Sequence, residues 1–457
     1  MRRARAVLAV ALALSAGAAS AADTVDLFQI YRDALAHDSR YASAHAQFDA
    51  EQEKVVQGRS ALLPVVVASA SASWNDDETT PAGTGIDNHD RYNSNNYALQ
   101  LNLPLFRRQN WLQYQEGALR TELAGRLFDE ARQVLILRTA QAYFDVLNAQ
   151  DSLEAIVQLR TAATEQLELA RTSFNVGTVT ITDVHEAQSR FDLALAQEIA
   201  ARNTLDVARE ALARIIGHTP GELARLRTGV ALSRPQPDDI DAWVEAAERD
   251  NLAVQEQQIL HEIALRTLAR ERAGHLPTLD LVASYGRSRQ PSSTIERANS
   301  GAVGVQLDIP LYQGGAVSSR AREAAALRLK AEADLEEARR AAAMTAREAY
   351  LGVTSGMAQI RALEAAHISS ASALEANRMG YEVGVRINID VLNAQSQLAD
   401  TVQRLSRARY DTVLARLRLK AAVGNLGEDD VRALGALLET RPEQAPPPTT
   451  DKPSIDE

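Results

Sequence analysis

Few side chains in this chain are spaced for bond-making chemistry. There is no cysteine, which excludes disulfides, thiolate zinc sites and thiol nucleophiles. The eight histidines are scattered, and none makes a convincing metal pair with another ligand. Gly314-Gly315 lies between a strand pattern and a helical one, but the lysine and the Ser/Thr of a phosphate loop are missing. The pair reads instead as a swivel between strand and helix. No nucleophile motif or paired-carboxylate pocket emerges, so no catalytic residue, metal or cofactor is expected. What recurs is a carboxylate in a repeated motif. Phe174-Asn175-Val176-Gly177 leads to Ile181-Thr182-Asp183-Val184, and Tyr381-Glu382-Val383-Gly384 leads to Ile389-Asp390-Val391. The aromatic, the glycine and the aspartate each return 207 positions later.

Each copy follows a long run without proline and precedes a second helical run, so each is expected to be the tight turn of a helical hairpin. Gly177 and Gly384 can supply a positive φ, and the aspartates can cap the helices that follow. Asp183-Val184-His185-Glu186 has the capping-box pattern with Asp183 at its head, and Asp390 likewise starts a helix. No proline occurs from Phe106 to Pro220, or between Pro310 and Pro442. Arg108 to about Ser173 and Gly315 to about Gly380 can each be one helix of roughly 65 residues, about 100 Å long at 1.5 Å per residue. Leu135, Thr139, Ala142, Val146 and Ala149 fall at heptad spacing on one face, and Ala342, Ala346, Ala349 and Val353 repeat it 207 positions on. The returning helices run from Asp183 to about Ile216 and from Asp390 to Val423.

The rest of the chain fits a tandem duplication. Residues 1–22 read as a secretory signal peptide: arginines, a short apolar run, then an Ala-x-Ala site. The first repeat spans 23–217, a connector 218–250, the second repeat 251–425, a C-terminal segment 426–440 and a disordered tail 441–457. The formal charge is −11 and becomes more negative once Arg2, Arg3 and Arg5 are cut away, leaving no basic cluster for nucleic acid. Aromatics are only 5%, as suits close-packed Ala- and Leu-rich helices rather than a bulky core.

Four stretches change to a period of two: 65–74, 97–106, 278–286 and 302–312. Val66, Ala68, Ala70, Ala72 and Trp74 share one face, as do Tyr97, Leu99, Leu101, Leu103 and Leu105. Serines, Gln100, Asn102, Gln306 and Asp308 take the other. A polar loop is expected from Asn75 to about Asn96. Such strands match transmembrane strands in length, and Trp74 suits an interfacial girdle. Four strands cannot close a barrel, and open edges are not tolerated in lipid, so copies of the chain must share one barrel. Three copies would give twelve strands; pattern alone does not fix the number. The alternative is a soluble periplasmic or surface coiled-coil protein that uses its strands for sheet augmentation.

Several stretches carry a resemblance. They are Ala142-Tyr143-Phe144-Asp145-Val146-Leu147-Asn148-Ala149, the two turn motifs, Gly274-His275-Leu276-Pro277-Thr278-Leu279-Asp280-Leu281, Pro310-Leu311-Tyr312-Gln313-Gly314-Gly315 and Ile389-Asp390-Val391-Leu392. Over roughly 23–440 the chain resembles the TolC family of outer-membrane exit ducts. That resemblance implies a mainly α fold with a transmembrane β-barrel: a homotrimer with a twelve-stranded barrel continued by an α-helical periplasmic tunnel. The connector and C-terminal region would form its equatorial belt. It also implies outer-membrane lipid around the barrel, a periplasmic adaptor, and an inner-membrane RND, ABC or MFS transporter, in drug efflux or type I secretion. The family's periplasmic closure carries over to Thr182, Asp183, Tyr381 and Arg386, with Gln166 one level above, and the turns at Gly177 and Gly384 would face the adaptor. Of the family's two constriction aspartates, Asp390 matches one and Asn393 replaces the other. Three carboxylates rather than six would then ring the axis, which argues against strong cation selectivity. Like charges around one axis still attract cations.

Overall fold

The computed structural model describes residues 24–439 apart from 81, 84, 86, 228, 230–232 and 291–295, so the expected signal peptide and tail lie outside the described residues. Two aspartates start the chain's first helices. Asp26 accepts from the Gln29 amide at 2.7 Å to cap α1 (Leu27–His37), and Asp38 accepts from the Tyr41 amide at 2.8 Å to cap α2 (Ser39–Ser60). After the Leu63-Pro64 break come β1 (Val65–Thr79) and β2 (Asn88–Phe106), then the 68-residue α3 (Arg108–Asn175) and the returning α4 (Ile181–Ile216). β3 (Arg225–Leu226) and α5 (Ile240–Asp250) form the connector. The second round has α6 (Leu252–Arg272), β4 (Thr278–Arg289), β5 (Arg297–Asp308), the 67-residue α7 (Ala316–Glu382) and α8 (Asn388–Ala422). α9 (Glu428–Gly435) and β6 (Leu438–Glu439) finish the described chain.

The core sits half-way along α3, where the heptad face was read. Leu135, Thr139 and Val146 are 1% exposed, and Ala142 and Ala149 are buried; 207 positions on, Ala342, Ala346 and Val353 are buried while Ala349 is only half-buried. Tyr143, Phe144 and Leu147 pack with Leu27, Ile30 and Tyr31 of α1, Leu212 and Ile216 of α4, Val413 and Leu417 of α8, and Val431 and Leu434 of α9. Each of the larger side chains contributes about 1.5–3 kcal/mol on burial. Tyr143 Oη donates to the Ala224 carbonyl at 2.6 Å, and beside it β3 pairs antiparallel with β6. The connector and the C-terminal segment thus meet against the middle of the long helices.

The four long strands form one antiparallel sheet in the order β1-β2-β4-β5. Its register aligns the apolar positions: Ala68 faces Leu99, which faces Tyr285; Val66 faces Leu101, then Ala283, then Val303. Among the described residues no helix packs across either face. Val303 is 79% exposed and Tyr97 58%, so the apolar face has no cover among the described residues.

Five strand boundaries differ from expectation, at Thr79, Asn88, Arg289, Arg297 and Asp308, and one register shifts. β1 and β2 pair past Trp74 as far as Thr79 and Asn88, which shortens the expected 75–96 loop. Polar pairs carry the extension: Arg91 to Asp76 at 3.1 Å, and Tyr92 Oη to Asp77 at 2.7 Å. Alternation of apolar residues could not reveal strand that rises beyond an apolar band. The β2–β4 register shifts between Pro104 and Phe106, so Phe106 rather than Leu105 stands opposite Leu279. β5 ends at Asp308, leaving Ile309 and Leu311 past the strand, where Pro310 has no amide to offer.

A candidate gate at the hairpin tips

Both motif copies form the turns of helical hairpins. Gly177 has φ 79° and Gly384 φ 78°, and nothing lies within 4 Å of either Cβ position, so the backbone angle and not space requires glycine. The amides of Thr178 and Val385 donate back to the carbonyls of Ser173 and Gly380, both at 2.9 Å. These bonds close the last turns of α3 and α7.

The helix starts differ from the reading of the motif. Thr180, not Asp183, is the N-cap of α4. Asp183 stands three residues on, and its Oδ2 accepts from the Thr180 amide at 2.9 Å and the Thr180 hydroxyl at 2.8 Å, while the Asp183 amide donates to Thr180 Oγ1 at 3.4 Å. The capping box is therefore one turn earlier, with Asp183 as its acidic partner. The second tip has Ile387 at the cap and no side-chain cap bond. Asp390, also in the first helical turn, instead pairs with Arg386 at 3.6 Å, an exposed contact of small worth.

A cleft of about 750 Å³ separates the two tips and brings together Gln166, Asp183, Tyr381, Gly384 and Arg386 from the expected set. Thr182 is exposed and lies outside this lining, as do Asp390, Asn393 and Gly177. Burial, with a further contribution from the Asp183 carboxylate, raises the Tyr381 phenol above its ordinary value. Arg386 packs over Gly380, where a Cβ would come within 2.7 Å of the Arg386 side chain. The buried Gln166 Oε1 has no hydrogen-bond partner among the described residues.

Several residues of this region were not singled out from the sequence. Asn388 lines the cleft at 4% exposure, with neither side-chain atom hydrogen-bonded, and Gln395 Oε1 is in the same condition. Each such group costs about 1–3 kcal/mol. Asn393 accepts from Arg190 at 2.7 Å, tying α8 to α4 and setting a guanidinium beside the position of the missing carboxylate. Behind the tips, Leu167, Ala170, Ala187 and Leu392 form a small apolar cluster. Arg190 is a single polar position in a long helix, and no local pattern marks its reach across to α8.

A sheet with one apolar and one polar face, carried on helices of about 100 Å, defines an outer-membrane channel subunit with a large helical periplasmic part. Among the described residues no helix is long and apolar enough to cross a membrane. Residues 30–218 and 243–425 match the model of the family described as outer membrane efflux protein. The chain is 34% identical to outer membrane protein TolC of Vibrio cholerae over 91% of this chain and 94% of that protein. It is 34% identical to the alkaline protease secretion protein AprF of Pseudomonas aeruginosa, over 89% of this chain and 86% of that one. In fold it is similar to the Campylobacter jejuni CmeC outer membrane channel, with TM-score 0.78, 16% identity and 90% of each chain covered. The outer membrane protein VceC of Vibrio cholerae gives TM-score 0.75 at 17% identity, over 87% of this chain and 96% of that one. The chain belongs to the outer membrane efflux protein family.

Proposed function

We propose that three copies of this chain form a conduit from the periplasm to the exterior, closed at rest by the hairpin tips. The observation that carries this reading is the sheet: β1 and β5 each have one strand neighbour, and the apolar face is bare. Bare edges are not stable in lipid, so copies join edge to edge. Two copies would give an eight-stranded barrel, whose interior side chains fill it. Three is the smallest number that leaves a duct, and the small residues of the polar face, such as Ser69, Ala98 and Gly304, suit an open lumen. In this arrangement the repeats 23–217 and 251–425 supply wall and barrel, and 218–250 with 426–440 form a belt around the middle.

The tips close the duct through contacts weak enough to be released. Arg386, Asp390, Tyr381, Asp183, Thr182 and Gln166 are the closing residues, with Asn393 one turn beyond Asp390. Exposed ion pairs and unpartnered buried amides give a state that a modest binding energy can displace. A periplasmic adaptor reaching Gly177 and Gly384 would provide that energy, with an RND, ABC or MFS transporter behind it. The relatives named for protease secretion and for efflux support a cargo of proteins and small molecules alike. Single-channel recording tests the assignment. Arg386→Ser is expected to raise the open-state frequency, and Asp390→Ala to lower cation preference. Unchanged records from both variants would remove the gate from these residues.

A further inference from the structure

The apolar face of the sheet ends in arginines. Beyond the row of Ala68, Leu99, Tyr285 and Gly301, register places Arg287 between Tyr97 and Asn299, and then Arg289 between Asn95 and Arg297. Alternation keeps all three arginines on the face that carries Leu99 and Tyr285. Both hairpin ends point away from the helices, because β1, β2, β4 and β5 join the helical body at Val65, Phe106, Thr278 and Asp308. With the helices periplasmic, this row lies at the outer rim of the membrane band.

Arg289 and Arg297 are direct cross-strand partners, an arrangement that is destabilising unless negative charge lies close. Arg287 is the diagonal neighbour of Arg297. Glu296 lies 3.4 Å from Arg289, but among the described residues no carboxylate pairs with Arg287 or Arg297. On the same side of the sheet, Asp76 is already held by Arg91 at 3.1 Å and His89 at 2.8 Å. A groove of about 740 Å³ joins the three guanidiniums to Tyr97, Tyr285 and Leu99. One end is therefore cationic and the other apolar and aromatic. A solvated surface arginine needs no such groove, and a soluble anion would have no use for its apolar end.

We propose that Arg287, Arg289 and Arg297 bind the phosphate groups of a phosphorylated glycolipid in the outer leaflet, with Tyr97, Tyr285 and Leu99 taking the start of its acyl chains. Guanidinium forks suit phosphate oxygens, and the tyrosines sit at headgroup depth. The inference rests on reading this sheet as part of a membrane barrel.

Native mass spectrometry of the purified oligomer in detergent tests it, with bis-phosphorylated lipid A, enzymatically dephosphorylated lipid A and inorganic phosphate as probes. Lipid A is expected to be retained saturably, and Arg287→Gln with Arg297→Gln to weaken retention by about tenfold or more, two guanidinium–phosphate contacts being lost. Dephosphorylated lipid should lose as much on the unaltered protein. Arg297→Gln alone should show a smaller loss of the same sign, and serves if the double variant does not assemble. Equal retention by variant and unaltered protein would overturn the site, as would equal binding of dephosphorylated lipid. Inorganic phosphate competing at the affinity of lipid A would make it a free-anion site and overturn the lipid assignment. A conducting oligomer that ignores lipid A fails only this inference, whereas protein recovered without detergent fails the channel reading first.

Discussion

Thr180 and Ile387 occupy the same place in the two repeats, and their difference sets what the neighbouring aspartates do. Thr180 can cap, so Asp183 is consumed in a reciprocal capping box; Ile387 cannot, so Asp390 is left to Arg386. The repeated motif made both aspartates legible as helix-start residues but set Asp183 one turn too early, because the Thr-x-x-Asp box overlaps the Asp-x-x-Glu one. Arg190 is the residue-scale addition. Its bond to Asn393 puts a cation beside the position where a second carboxylate was missing, and in the proposed gate both features would lower cation preference. In bilayer recordings Asn393→Asp alone should raise cation selectivity only slightly, because Arg190 neutralises the new charge. Adding Arg190→Ala should raise it clearly further. A full rise from Asn393→Asp alone would show that Arg190 does not act there.

At the scale of elements, helices were legible to within a few residues, because long proline-free runs leave little competition. The strands were legible as apolar faces and not as hydrogen-bonded ladders, so the polar extensions beyond Trp74 were missed. The junction between strand and helix holds a feature that spacing does not announce. Arg107, just before α3, forks onto Asp280 of β4, with Nε 2.9 Å from Oδ1. Asp280 is 3% exposed, while the Arg107 side chain is 37% exposed. Arg107→Ala strands a buried carboxylate and is expected to cost about 3 kcal/mol; Asp280→Asn leaves a guanidinium that water can serve and costs less. Thermal midpoints of the oligomer measure both, and the reverse ranking would refute the account. Glu256 on α6 supplies a pH dependence. Burial, then the Glu130 carboxylate, holds its acid up at about 7 against an ordinary value of 4.5. The folded chain therefore keeps a proton that the unfolded chain loses, and stability through this group falls as pH rises from 4.5 to 7. Glu256→Gln should flatten that dependence and raise the thermal midpoint at pH 8 above that of the unaltered chain. An unchanged slope would contradict it.

At the scale of the whole molecule, length, the tandem repeat and two-faced strands were enough to require association. The number of copies was not in the pattern, because nothing local counts strands around a closed barrel. The bare face and the two single-neighbour edges now state the requirement in physical terms: the protomer is an incomplete object in any solvent. Its central core is satisfied within the chain; its sheet is not, nor are stretches of its long helices, where Ile199, Val207 and Ile368 stand exposed. The measurement that tests this most directly is the mass of the protein extracted by detergent from the outer-membrane fraction, by light scattering corrected for bound detergent. Three chain masses, found only in that fraction, are the result expected. A monomer of one chain mass, recovered from the periplasm without detergent, would contradict the shared barrel and the conduit built on it.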